Sequence, residues 1–97
     1  MIIDDNALKA ATKKNGFFVI KTVISNVGWS SSVKNLWIEI LKTLDNKNDY
    51  KVYEYKYIRV YVHKSLIIDK DNLYIYEKSK SPLLGSAFGV KGVTFQI

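Results

Sequence analysis

The spacing of apolar and polar residues divides the chain into a short helix, a strand, a second amphipathic segment and a run of strands. Asp4 to Lys14 reads as a helix. Asp4 or Asp5 caps its amino end, Ala7, Leu8, Ala10 and Ala11 favour the helical backbone, and Lys13 and Lys14 occupy the last turn. Asn15-Gly16 then supplies the left-handed residue that stops it. Phe17 to Ser25 is rich in β-branched and aromatic residues and apolar on both faces at its start, the pattern of a central strand. Gly28 and Ser30-Ser31-Ser32 punctuate the chain. Beyond them Val33, Leu36, Trp37, Ile40, Leu41 and Leu44 recur at three-and-four spacing, with Lys34, Asn35, Glu39, Lys42 and Thr43 opposite, which predicts an amphipathic helix over about 31–44.

The second half reads as strands. Lys51 to His63 is one long candidate, followed by Leu66 to Ile68, a turn at Asp69-Lys70-Asp71-Asn72, and Leu73 to Glu77. Turn residues between two apolar runs predict a hairpin there. Ser79 to Gly89 holds the sole proline, Pro82, and reads as a loop, and Val90 to Ile97 as a closing strand. The expected fold is a single α+β domain over residues 1–97, an antiparallel sheet of four to five strands with two helices, about 4–14 and 31–44, packed on one face.

Composition narrows the function. The chain carries a net charge of +6, and its fifteen cations are fourteen lysines and one arginine, Arg59. Positive charge favours polyanions or acidic protein surfaces as partners. Lysine is a point charge, whereas arginine presents the planar fork that reads guanine edges, so this balance favours contact with a nucleic-acid backbone over sequence reading. An AT-rich coding sequence is the plain alternative source of so many Lys, Ile, Asn and Tyr codons. With no cysteine, disulfides and thiolate metal sites are excluded. Met1 to Asp5 places two acids where a secretory leader needs a basic start, and no apolar run approaches the ~20 residues a bilayer span needs, so a cytoplasmic protein off the membrane is expected.

Strand alternation makes Lys51 to His63 the main candidate site. One face carries Lys51, Tyr53, Tyr55, Tyr57, Arg59, Tyr61 and His63; the other carries Val52, Glu54, Lys56, Ile58, Val60 and Val62. Ile58, Val60 and Val62 read as core, which places Tyr57, Arg59 and Tyr61 outside, where bases stack on rings between cations. Glu54 and Lys56 spoil the apolar face of the first half. A bend near Tyr57 would switch faces and put Tyr53 and Tyr55 in the core. Lys51, Lys78 and Lys80 are added as phosphate contacts, the last two alternating with serines ahead of Pro82, where a solvated linker is the plain reading. Trp29, beside Gly28, is the candidate anchor for a protein partner.

Catalytic and metal signatures are weak. His63 is the sole histidine and reads as a surface or capping residue, and nothing marks Ser30, Ser31 or Ser32 as an activated nucleophile. Asp69-Lys70-Asp71 opens like a calcium loop but has Tyr74 where glycine and Lys80 where glutamate are required. The glycines at 85, 89 and 92 fit no phosphate-loop spacing. Leu8 to Val19, ending Lys-Lys-Asn-Gly-Phe-Phe-Val, resembles the opening of the small HicA-type RNA-cleaving toxins, in which a catalytic histidine follows in the next strand region. Lys21 to Trp29 contains none, so membership does not follow. The expectation is a small basic non-enzymatic binding protein without cofactor, holding nucleic acid through its Lys/Tyr-rich strand. The alternative is a phage- or mobile-element-encoded inhibitor or accessory factor that binds a host protein, and homodimerisation through an edge strand is a further expectation.

Overall fold

The structure, a computed structural model, describes residues 1–28, 31–83 and 85–95. Its elements are β1 (Ile2–Ile3), α1 (Asp5–Lys14), β2 (Phe17–Val27), β3 (Ser31–Leu41), a 3-10 turn (Lys47–Asp49), β4 (Tyr50–Tyr55), β5 (Ile58–His63), β6 (Leu66–Ile68), β7 (Tyr74–Ser81), β8 (Gly85–Lys91) and β9 (Val93–Phe95). One helix packs against mixed sheets, and together they make one small compact domain dominated by strands.

The helix forms where its caps dictate. The Asp4 carboxylate accepts the Ala7 amide at 2.8 Å, and Asn15 takes the left-handed conformation (φ 53°, ψ 46°) that ends the last turn. Ala7 and Ala11 are fully buried. Their small side chains let α1 lie close against β7 and β5.

The central sheet has the strand order β3-β2-β5-β4. Three findings here correct the reading of the sequence. First, 31–44 is not a helix: Ser31–Leu41 pairs antiparallel with the whole of β2, from Phe17↔Leu41 to Val27↔Ser31. Leu36, Ile38 and Ile40 pack toward the core while Trp37 and Leu41 take the other face, so the run is a strand apolar on both sides. Ile38 is the residue that a helical stripe leaves on its polar side. Second, the sheet is mixed rather than antiparallel, because β2 and β5 run parallel through Phe18↔Val60, Val19↔Tyr61 and Ile20↔Val62.

Third, Lys51 to His63 is two strands. β4 and β5 form a hairpin with Tyr55 opposite Ile58, and the two-residue turn holds Lys56 and Tyr57 at φ 46° and 71°. Positive φ at both central residues gives the mirror-image turn whose twist matches its strands. The reversal puts Tyr53 and Tyr55 on the core side, half-buried beside Val60 and Ile58. Tyr61 changes face relative to them. It is only 7% exposed, contrary to the expected open face, and its ring packs on Phe17 at 4.8 Å between centroids. Residues 42–49 link β3 to β4 at opposite edges of the sheet, and half-buried Leu44 lies beside Lys21, Tyr50 and His63 of that outer face.

The inner face, with Phe18, Ile20, Ile58, Val60 and Val62, meets Ile3, Leu73 and Ile75 of the second layer. That layer is a sheet of order β1-β7-β8, with β1 parallel to β7, next to a β6-β9 pair. The turn at Asp69 to Asn72 exists, closed by Asn72 N–H to the Asp69 carbonyl at 3.1 Å, but it joins two sheets instead of a hairpin. Gly92 explains the switch. At φ 83° it bends the chain from β8 into β9, and a Cβ there would sit 2.6 Å from the Asn72 backbone. Ser79 to Gly89 is not a loop: most of it belongs to the β7–β8 ribbon. No helix among the described residues is long and apolar enough to cross a membrane.

Candidate functional site

The aromatic, cationic stripe expected along one strand is dispersed by the hairpin. Tyr57 stands at the turn, 95% exposed. Arg59 is exposed on the outer face opposite Glu54, Tyr61 is buried on that face, and Lys51 is exposed on β4 opposite Val62. Trp29 lies outside the described residues. Tyr57 and Arg59 line one groove with Glu54 and Lys56, which Tyr61 and Lys51 do not join.

The lysines at 78 and 80 have different surroundings. β7 and β8 pair regularly through Glu77↔Phe88, then slip by one residue, so that Ser79 faces Ala87 and Lys80 faces Ser86. The residue left over is Lys78. Because paired residues share a face, the slip carries Lys80 to the side of Glu77, Phe88 and Ile75, which unbroken alternation would deny it. That side looks onto α1. Lys9 and Lys13 are one turn apart on the helix, with Lys14 beside them. Together with Asn6, Ala10, Glu77, Lys80, Gly85 and Ser86 they line a groove of about 410 Å³.

A second groove of about 500 Å³ continues it, sharing Lys14 and Ser86. It runs between the free edge of β3, from Leu36 to Ile40, and the Ala87-Phe88 stretch of β8, with Lys78 on its wall. Five lysines therefore border the two adjoining grooves, which together form a channel, and none of the five has a carboxylate partner among the described residues. Two carboxylates border it as well. Glu77 accepts the Ser86 hydroxyl at 3.0 Å, while Glu39 lies 3.7 Å from the Lys21 ammonium and also accepts the Trp37 indole N–H. The channel is cationic overall, and its electrostatics suit a chain of phosphates.

Elsewhere the chemistry is local. His63 Nδ1 accepts the Ser65 amide at 3.1 Å and lies 2.7 Å from the Ser65 hydroxyl, a contact that closes the turn between β5 and β6. Tyr50 stacks edge-on against His63 at 5.1 Å, and burial, then Asp49 and Glu39, push its phenol above the ordinary tyrosine range. Glu54 is four strand positions from His63 in register, since it faces Arg59, so these side chains do not converge on one reacting atom. Among the described residues no group of three or more His, Asp or Glu gathers as metal ligands do. No protein-family model, curated protein or solved structure matches the chain.

Lys9, Lys13, Lys14, Trp37 and Ser86 are the site residues that sequence reading missed. Lys13 and Lys14 were visible as last-turn helix lysines, and their spacing from Lys9 as one face. Nothing local joins that face to Lys80.

Proposed function

We propose that this protein binds nucleic acid without chemistry, gripping the phosphate backbone in the channel between α1 and the β7–β8 ribbon. The observation that carries the reading is the convergence of Lys9, Lys13, Lys14, Lys78 and Lys80, from two separate elements, on one channel with no carboxylate among the described residues paired to any of them. Lysine contacts hold a backbone without reading bases, so binding is weakly sequence-dependent. Each phosphate neutralised releases counterions, so five contacts on a single strand give a slope of log K against log salt of roughly −3 to −4. Fluorescence anisotropy at ~50 mM salt tests this. Lys13→Glu/Lys80→Glu should weaken binding at least ~10-fold and shrink the slope by about 0.7 per lysine, while Lys51→Glu, away from the channel, should change neither. No association with any oligonucleotide at that salt, or equal losses from all three substitutions, would end the proposal.

A second reading, self-association, is favoured by the free edge of β3. It is long, contains no proline, and exposes Val33 and Trp37 to 43% and 49%. Sedimentation velocity that shows a monomer up to several hundred micromolar would dispose of it.

A further inference from the structure

Resting on the reading above, we infer that the channel is built for an unpaired strand, single-stranded DNA or RNA, with Trp37 as the platform on which a base stacks. Three features lead there. The cations stand on both walls: Lys9, Lys13 and Lys14 on the helix side, Lys78 and Lys80 on the ribbon side. Such a groove surrounds one backbone, whereas a duplex lying across its mouth reaches only the outermost ammonium groups. The two ends of the channel also differ in the side chains that line them. Four lysines with Asn6 and Glu77 line the α1 end, whereas at the β3 end the rings of Trp37 and Phe88 join Lys78 and Glu39 in the lining. Phosphates and bases need those two environments in that order of contact.

The third feature is the indole itself. Trp37 is 49% exposed, the one aromatic residue of β3, and stands opposite Lys21 on the outer-face side of the groove lip. Its Nε1 donates to Glu39, and the same carboxylate oxygen is 3.7 Å from the Lys21 ammonium. The ring is thus anchored at its polar edge while about half of the residue's surface stays exposed. Lys21 also offsets the charge of Glu39, which would otherwise repel a strand arriving over the lip. A chain leaving the lysine walls past Lys14 and Lys78 passes over this ring, and stacking on it adds sequence-tolerant affinity because every base has a π-face.

The test uses the full chain carrying Trp29→Phe, which leaves Trp37 as the sole indole, since the sequence has two tryptophans. Titration with a deoxythymidine 12-mer and its ribouridine counterpart should quench that fluorescence in step with anisotropy, and a duplex of equal length should not. In the otherwise unaltered chain Trp37→Ala should lose roughly 5- to 150-fold in single-strand affinity, the range of one base–aromatic stack, with duplex affinity and salt slope unchanged. Trp37→Tyr should recover most of it. Quenching by either single strand sustains the inference even if the alanine variant folds poorly. Binding that the lysine substitutions weaken but that leaves the indole unquenched, or that is equal for single strand and duplex, overturns the inference and leaves the groove standing. Absence of any binding overturns both.

Discussion

Tyr57 is held where a tyrosine is uncomfortable. Its φ of 71° lies in the left-handed region, as does the 46° of Lys56, and the ring makes no compensating burial at 95% exposure. A left-handed backbone costs a side-chain-bearing residue roughly 1–2 kcal/mol, while glycine there brings an unfolded-state entropy penalty of about 0.5–1 kcal/mol. Tyr57→Gly should therefore stabilise the fold by about 0.5–1 kcal/mol, since glycine is the favoured second residue of this turn. Lys56 is left in place because its ammonium sits 5.5 Å from the Tyr55 ring centroid. Urea unfolding of the two proteins measures the difference, and a less stable variant would show that the tyrosine ring contributes more than its strain costs. The same residue decided how the strand was read. Alternation along Lys51 to His63 assumes one unbroken strand, and the apolar run Ile58 to Val62 supported that. Glu54 and Lys56 marked the break, and a bend near Tyr57 accounts for both, but no Asn-Gly or Asp-Gly announced the turn.

At the scale of elements, legibility followed local chemistry. α1 was readable because Asp4 and Asn15 specify its two ends by side chain and backbone preference alone. β2 was readable because Phe17 to Ile20 is apolar on both faces, and it is indeed a central strand. β3 was not, because Val33, Leu36, Trp37, Ile40 and Leu41 satisfy helical spacing and a two-faced strand equally well, and pairing with β2 decides between them. Parallel pairing of β2 with β5 was equally invisible, since it depends on contacts forty residues apart. The β2–β3 hairpin also carries a consequence of its own. β5 supports β2 only from Phe18 to Ile20, whereas the ladder with β3 runs the full length of both strands. In its outer half Ile24 and Val33 are 63% and 43% exposed, and Ser25, Asn26, Lys34 and Asn35 are exposed too. A two-stranded ribbon without a third strand or a packed face is marginal in water. Amide exchange should therefore divide this hairpin: residues 18–20 and 38–40 exchange near the rate of global unfolding, and residues 23–26 and 32–35 at least ~10-fold faster through local opening. Uniform protection along the hairpin would show that the ribbon is covered in solution, as strand addition at the β3 edge would require.

For the molecule as a whole, the lysines that make the channel also work against the fold. The net charge is +6, and among the described residues one ion pair, Lys21 with Glu39, is formed. Lys9 and Lys13 are a like-charge pair one helical turn apart, Lys14 adjoins them, and Lys80 faces them across the groove. Free protein at low salt is thus destabilised by the lysines of the proposed binding channel, and the repulsion is screened as the Debye length falls from about 30 Å at 0.01 M to about 10 Å at 0.1 M. The channel's contribution to stability and its contribution to binding must then respond to salt with opposite signs. Raising sodium chloride from ~10 to ~300 mM should raise the melting temperature by a few degrees, on the scale of about 4–8 °C per kcal/mol for a domain of this size, while nucleic-acid affinity collapses. Lys13→Glu/Lys80→Glu should be more stable than the parent at low salt and nearly indifferent to added salt. That pairing of outcomes is diagnostic, because a merely solvated set of lysines, each far from the others, would show neither the stabilisation on charge reversal nor the loss of binding. Calorimetry of both proteins across the salt series measures the first sign and anisotropy the second. A melting temperature that stays flat or falls for the parent would mean that these ammonium groups do not feel one another, and a channel in which they do not feel one another would not concentrate a phosphate chain either.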